Sequence, residues 1–147
     1  MKFIDLSYSI SNAMHTYPSD PNVSIHCEKN IENNGSLLHS FKMGTHTGTH
    51  VDAPAHVIPG GKTLDQFPLD SFAGTAIKLN EQICSEIEFI DTKIDGLIYE
   101  TTWYEEFDSP DVFYGPNRPS IPKKILEMGL KKNIKFFGCD LPSVDLS

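Results

Sequence analysis

Short runs in which apolar and polar residues alternate are spread along the chain, and each predicts a strand. Residues 2–7 alternate, with Phe3 on one face and Ile4 and Leu6 on the other. Residues 23–29 read as a second strand and 37–43 as a third, with Asn33, Asn34 and Gly35 forming a turn between them. A further strand spans 71–79, entered through residues 72–75. The compact apolar run 96–101 predicts a buried strand, and 134–137 predicts the last one. Between them, residues 11–22 are a loop rich in Pro, Ser and Asp, and 59–62 form a tight turn. Residues 63–67 suit a helical turn before Pro68. Residues 103–119 mix acids, aromatics and prolines, the composition of an ordered loop over a pocket.

Helical periodicity is rarer. Ile83, Ile87 and Ile90 are spaced for one face of a short helix over 80–90. The stronger pattern covers 122–130: Ser120 is the candidate N-cap and Pro122 lies in the first turn. Ile121, Ile125, Leu126 and Leu130 share a face there, and Asn133 ends the helix. Several strands with one well-marked helix predict a mixed, β-rich α/β or α+β fold. The 147 residues are read as a single domain, 1–147, long enough to bury its own core.

The formal net charge of −8 turns the reading away from nucleic acid, because phosphate binding needs a basic face. Lys123, Lys124, Lys131, Lys132 and Lys135 cluster locally and are read as the solvated face of the helix and the strand after it. No apolar run reaches membrane-spanning length, and the first residues carry Asp5 instead of an apolar core segment, so neither a membrane span nor a signal peptide is expected. Cys27, Cys84 and Cys139 are odd in number and show no Cys-x-x-Cys spacing, which predicts buried thiols in a cytoplasmic protein. Cys139, beside Asp140, is the candidate for a reactive thiol, against the commoner packing role.

Chemistry concentrates in one stretch, His46-x-Gly48-Thr49-His50-x-Asp52-x-Pro54-x-His56. Three of six histidines and an aspartate fall within it, and imidazole nitrogen and carboxylate oxygen are the usual donors to a catalytic zinc or manganese ion. The four side chains are separated by even numbers of residues, so an extended strand places them on one face and Thr47, Thr49 and Val51 on the other. His50 and Asp52 would stand about 6.6 Å apart along such a strand, and His46 about 13 Å from His50, so a bend is required and Gly48 can supply it. Pro54 sends His56 out on a loop. A helical reading with His46 and His50 at i and i+4 conflicts with Gly44, Gly48, Pro54 and the β-branched residues.

This stretch resembles the signature of the metal-dependent cyclase-like hydrolases, the family that includes bacterial kynurenine formamidase and isatin hydrolase. Weaker landmarks follow in the same order. Residues 4–10 and 14–20 resemble the family's amino-terminal strand and substrate-side loop. Residues 95–103 resemble a central strand ending in Thr-Gly-Trp, with Thr102 in place of the glycine. Residues 138–145 resemble the Gly-x-Asp-x-x-Ser-x-Asp segment, as Gly138, Asp140, Ser143 and Asp145.

The resemblance implies a swivelling β/β/α fold, with His46, His50 and Asp52 as ligands of one or two ions and His56 as acid/base. The family's remaining ligands, a histidine and a glutamate, lie beyond the Ser-x-Asp segment, whereas this chain ends at Ser147 with no histidine after His56. The expected domain is therefore C-terminally shortened. A homodimer or larger homo-oligomer is expected to cover the exposed sheet edge or apolar surface.

Together these features point to hydrolysis of a small amide-like substrate, arylformamidase-like, with N-formylkynurenine the substrate implied by the resemblance. Tyr17, Trp103 and Phe107 are candidates to stack on an aryl group, with core packing as the competing role. Two alternatives stay open. One is a non-enzymatic metal-binding or interaction relative that has lost the second half of the site. The other is a cupin-like non-haem iron protein, since two histidines and a carboxylate also form its facial triad.

Overall fold

An antiparallel pair of strands lies in the first part of the chain and a parallel three-stranded sheet in the second. The structure is a computed structural model that describes residues 2–82 and 93–144. Its backbone gathers into two compact units, Met1–Gly61 and Lys62–Ser147.

In the first unit, β1 (Ser24–Lys29) pairs with β2 (Leu38–Lys42), from Ser24 opposite Lys42 to Cys27 opposite His39. The register shifts between Cys27 and Lys29. The link is a one-turn helix, α1 (Ile31–Asn34), which continues into the turn expected at 33–35. Asn30 caps it by accepting the Asn33 N–H at 2.9 Å, and Gly35 ends it at φ 69°. The strand expected at 2–7 does not form: residues 2–10 have no regular structure, and Phe3, Ile4 and Leu6 are exposed. Alternation makes a strand only where a neighbour completes its hydrogen bonds, and none pairs with this segment among the described residues. Cys27, expected to be buried, is exposed on the two-stranded ribbon.

In the second unit, β3 (Ala76–Leu79), β4 (Gly96–Tyr99) and β5 (Phe136–Cys139) lie parallel in the order β3-β4-β5, with Ala76, Gly96 and Phe136 in register. Residues 71 and 72, expected to open the strand predicted at 71–79, instead belong to a 3-10 turn at Leu69–Phe72 that precedes β3. Leu97 and Tyr99 are buried with Leu79, Ile94, Ile121 and Ile125, which accounts for the apolar run in β4. The region 103–119 carries a 3-10 turn at Trp103–Glu106 and a one-turn helix, α2 (Pro110–Phe113), whose Phe113 is buried. The expected helix over 80–90 falls largely outside the described residues.

Helix α3 (Lys123–Lys131) joins β4 to β5. Its cap differs from expectation: Pro122, not Ser120, is the N-cap, and no side chain caps the first turn. Its buried stripe also differs. Ile121, Ile125 and Gly129 face inward at i, i+4 and i+8, while Leu130 is 78% exposed. Gly129 sets this face, because a Cβ there would stand 2.8 Å from the Ile134 Cδ1 atom. Asn133 ends the helix as expected, with φ 51°.

Asp95 joins the amino ends of the three strands. Its carboxylate accepts the Thr75 N–H at 3.0 Å and lies 3.2 Å from the Lys135 ammonium. Its backbone carbonyl accepts the Lys135 N–H at 2.6 Å. The Thr75 N–H, then Lys135, hold this carboxyl below its ordinary pKa.

Candidate metal centre

The histidine stretch is a folded loop, not the straight strand its spacing suggests. Strand β2 ends at Lys42, a turn follows at residues 45 and 46, and Gly48 takes φ 59°. A 3-10 turn at Pro54–His56, opened by Pro54, closes the stretch. Gly48 in the left-handed region interrupts an extended backbone, so the donors converge by bending and not by alternation. Thr47 is the buried residue of the motif, and its hydroxyl donates to the Gly44 carbonyl at 2.9 Å. Val51, expected on the strand face opposite the donors, is 55% exposed.

Asp52 is the hinge of the cluster. Its Oδ1 lies 2.6 Å from His46 Nδ1 and 3.3 Å from His50 Nε2. His50 Nδ1 stands 2.8 Å from the Gly48 carbonyl. A carbonyl only accepts, so Nδ1 carries the proton and, in the neutral ring, Nε2 is the free donor atom. The His56 ring stacks on His46 with centroids 3.8 Å apart and a 35° tilt, and His50 meets His46 edge-on at 5.1 Å.

These residues fit a divalent ion. One donor atom from each of His46, His50 and Asp52 lies within 4.8 Å of the others. Zinc bonds of about 2.0–2.2 Å place neighbouring tetrahedral donors roughly 3.4 Å apart, close to the His50–Asp52 separation. The side chains are between 27% and 51% exposed, so an ion held there keeps room for exchangeable ligands.

The sequence matches the cyclase family over residues 4–146. The chain belongs to the cyclase family. This cyclase-family chain is 32% identical to the kynurenine formamidase of Salinibacter ruber, over 99% of its own length and 71% of the relative's. It is 29% identical to that of Bacillus mycoides, over 98% and 70%. Its fold superposes on isatin hydrolase A from Ralstonia solanacearum with a TM-score of 0.74 and 21% identity, over 97% of this chain and 67% of the other. The mixed α/β cyclase-like fold expected from the sequence is the fold observed.

The aromatic candidates lie in both units of the cyclase-family chain. Tyr17 is half-buried in the first, and its carbonyl accepts the Asp20 N–H at 2.8 Å. Trp103 and Phe107 are in the second, gathered on Phe113: the Trp103 indole donates to the Phe113 carbonyl at 3.1 Å, and the Phe107 ring meets that of Phe113 edge-on at 5.3 Å. Sequence reading assigned no role to three residues around the histidine loop. Tyr8 donates its N–H to the Thr49 hydroxyl at 3.1 Å, Met14 packs on Gly48, and Asn12 grips β1. Tyr8 and Met14 fall within the landmarks at 4–10 and 14–20 and Asn12 between them, but periodicity carries no signal of which side chains reach the loop.

Proposed function

We propose that the chain binds zinc or manganese at His46, His50 and Asp52 and hydrolyses a small amide-like substrate of the arylformamide class. The observation that carries this reading is the position of Asp52 Oδ1 within 3.3 Å of a nitrogen of both histidines, with one donor atom from each residue inside 4.8 Å. Relatives named kynurenine formamidase, aligned over nearly the whole chain, support the substrate class.

When bound, a divalent ion polarises a carbonyl oxygen and lowers the pKa of water to about 7. The protein's own groups then divide the work. His46, His50 and Asp52 hold the ion, and the Gly48 carbonyl keeps His50 in the tautomer that offers Nε2. His56, stacked on His46, accepts a proton from the attacking water and returns it to the leaving nitrogen. Oxygen adds to the carbonyl carbon, the carbon–nitrogen bond breaks, and the products are a carboxylic acid and an amine. Tyr17, in the same unit, is the proposed aromatic surface for an aryl substituent.

Elemental analysis of wild type and His50→Ala, paired with a hydrolysis assay on N-formylkynurenine, tests the proposal. Near-stoichiometric metal that disappears in the variant, with metal-dependent release of formate, is the expected result. Metal without turnover of any formamide or lactam selects a non-enzymatic metal-binding role. Protein that is folded yet rejects added zinc and manganese overturns the proposal.

A further inference from the structure

We infer that residues 8–14 act as a strap that preorganises the metal loop, with Asn12 and Met14 as positioning residues for His50 and Asp52. The inference rests on the metal reading above. Three anchors define the strap. Asn12 binds both backbone groups of Ile25 in β1: its Nδ2 donates to the Ile25 carbonyl at 3.0 Å, and its Oδ1 accepts the Ile25 N–H at 2.6 Å. The side-chain amide thus takes the place of a neighbouring strand on the outer edge of β1. Tyr8 donates its N–H to the Thr49 hydroxyl at 3.1 Å.

Met14 is the third anchor, set by a turn in which its N–H donates to the Ser11 carbonyl at 3.1 Å. Its Cε fills the space beside Gly48, 2.7 Å from where a Cβ would stand, and its sulfur lies 3.6 Å from the same point.

Tyr8 and Met14 meet the part of the loop that aims the donors, while Asn12 ties the strap to β1. Gly48 and Thr49 lie between His46 and His50, and the Gly48 carbonyl fixes the His50 ring. The strap therefore covers a residue in the left-handed region whose carbonyl orients a candidate ligand. Groups that orient metal ligands from behind typically change affinity by about 10–100-fold when removed. The hydrogen bonds of Asn12 run to β1 and Met14 packs on Gly48, so their effect passes through β1 and Gly48.

The test is the zinc and manganese affinity of the full chain, by competition with a chromogenic chelator, for wild type, Asn12→Ala, Met14→Ala, Met14→Leu and His50→Ala. Circular dichroism melts of the metal-free proteins follow in parallel. Asn12→Ala and Met14→Ala are expected to bind roughly tenfold more weakly, with metal-free melts near wild type, while Met14→Leu restores affinity by refilling the space. Met14→Ala leaves the hydrogen bonds of the strap in place, so it keeps the test decisive if Asn12→Ala fails to fold. Wild-type affinity in both alanine variants, with His50→Ala still defective, overturns the strap and leaves the metal site standing. Undiminished binding by His50→Ala overturns the metal site and the strap with it.

Discussion

Asp140 accepts two hydrogen bonds from Thr101 through one oxygen, the backbone N–H at 2.9 Å and the hydroxyl at 2.8 Å. The two residues follow β5 and β4, so the contact ties the carboxyl ends of neighbouring strands as Asp95 ties their amino ends. The Thr101 oxygen also accepts the Trp103 N–H at 3.2 Å, which passes the restraint on to the turn at Trp103–Glu106. The second Asp140 oxygen, Oδ2, is buried with no hydrogen-bond partner among the described residues.

Asp140→Ala removes both bonds and leaves the Thr101 N–H and hydroxyl unpaired in a part-buried setting. The expected loss is about 2 kcal/mol, the range for hydrogen bonds to a charged acceptor. The thermal midpoint should fall by roughly 5 °C, measured by circular dichroism. A midpoint within about 1 °C of wild type would show that water replaces the carboxylate at little cost.

Thr102 sits inside that tied turn at φ 64°, a left-handed conformation that a β-branched residue rarely takes. Its position is the one where the resembling family pattern has glycine. Relief of about 1–2 kcal/mol of strain is partly offset by the chain entropy glycine adds to the unfolded state. Thr102→Gly is therefore expected to stabilise by about 0.5–1 kcal/mol, read from the shift of the melt. Destabilisation instead would mean that the Thr102 side chain makes a contact stronger than the strain.

That turn also shows where sequence and structure part. Strands β1, β2 and β4 and helix α3 were legible because each has a neighbour to complete it: β1 and β2 pair with each other, while β4 and α3 share the buried core. The alternation at Phe3, Ile4 and Leu6 was as clear, but alternation carries no information on whether a partner strand exists. The His46–His50–Asp52 cluster was legible in residue type and not in path. Even spacing at 46, 50, 52 and 56 fits a strand, whereas the observed convergence depends on the φ of Gly48 and on Met14 packed over it. Such long-range packing leaves no local periodicity to read.

Acid should weaken the parallel sheet through Asp95. Its folded pKa lies below its ordinary value because the Thr75 N–H and the Lys135 ammonium favour the charged form. A lowered folded pKa means the folded state binds the proton less readily than the unfolded chain. The contribution is then complete above the unfolded value of about 3.9 and is lost as pH falls through the folded value. Melts between pH 6 and pH 3 should lose stability below about pH 4, and Asp95→Asn should flatten that limb while lowering the midpoint at neutral pH. An unchanged acid limb in Asp95→Asn would assign it to other carboxylates.

Substitution at His56 tests the proposed proton transfer separately from the proposed metal holding. Its ring stacks on His46 at 3.8 Å, so an alanine there would remove both the imidazole and the surface that supports a candidate ligand. Phenylalanine keeps an aromatic ring against His46 and removes the titratable nitrogens. His56→Phe is therefore expected to retain metal at the wild-type stoichiometry and to lose about 10²–10⁴-fold in the rate of formamide hydrolysis, the usual contribution of a positioned acid/base. Elemental analysis and a formate-release assay on the same preparation give both readings. Loss of metal would move His56 into the ligand set. Full metal with a wild-type rate would show that solvent carries the proton, leaving His56 as support for His46.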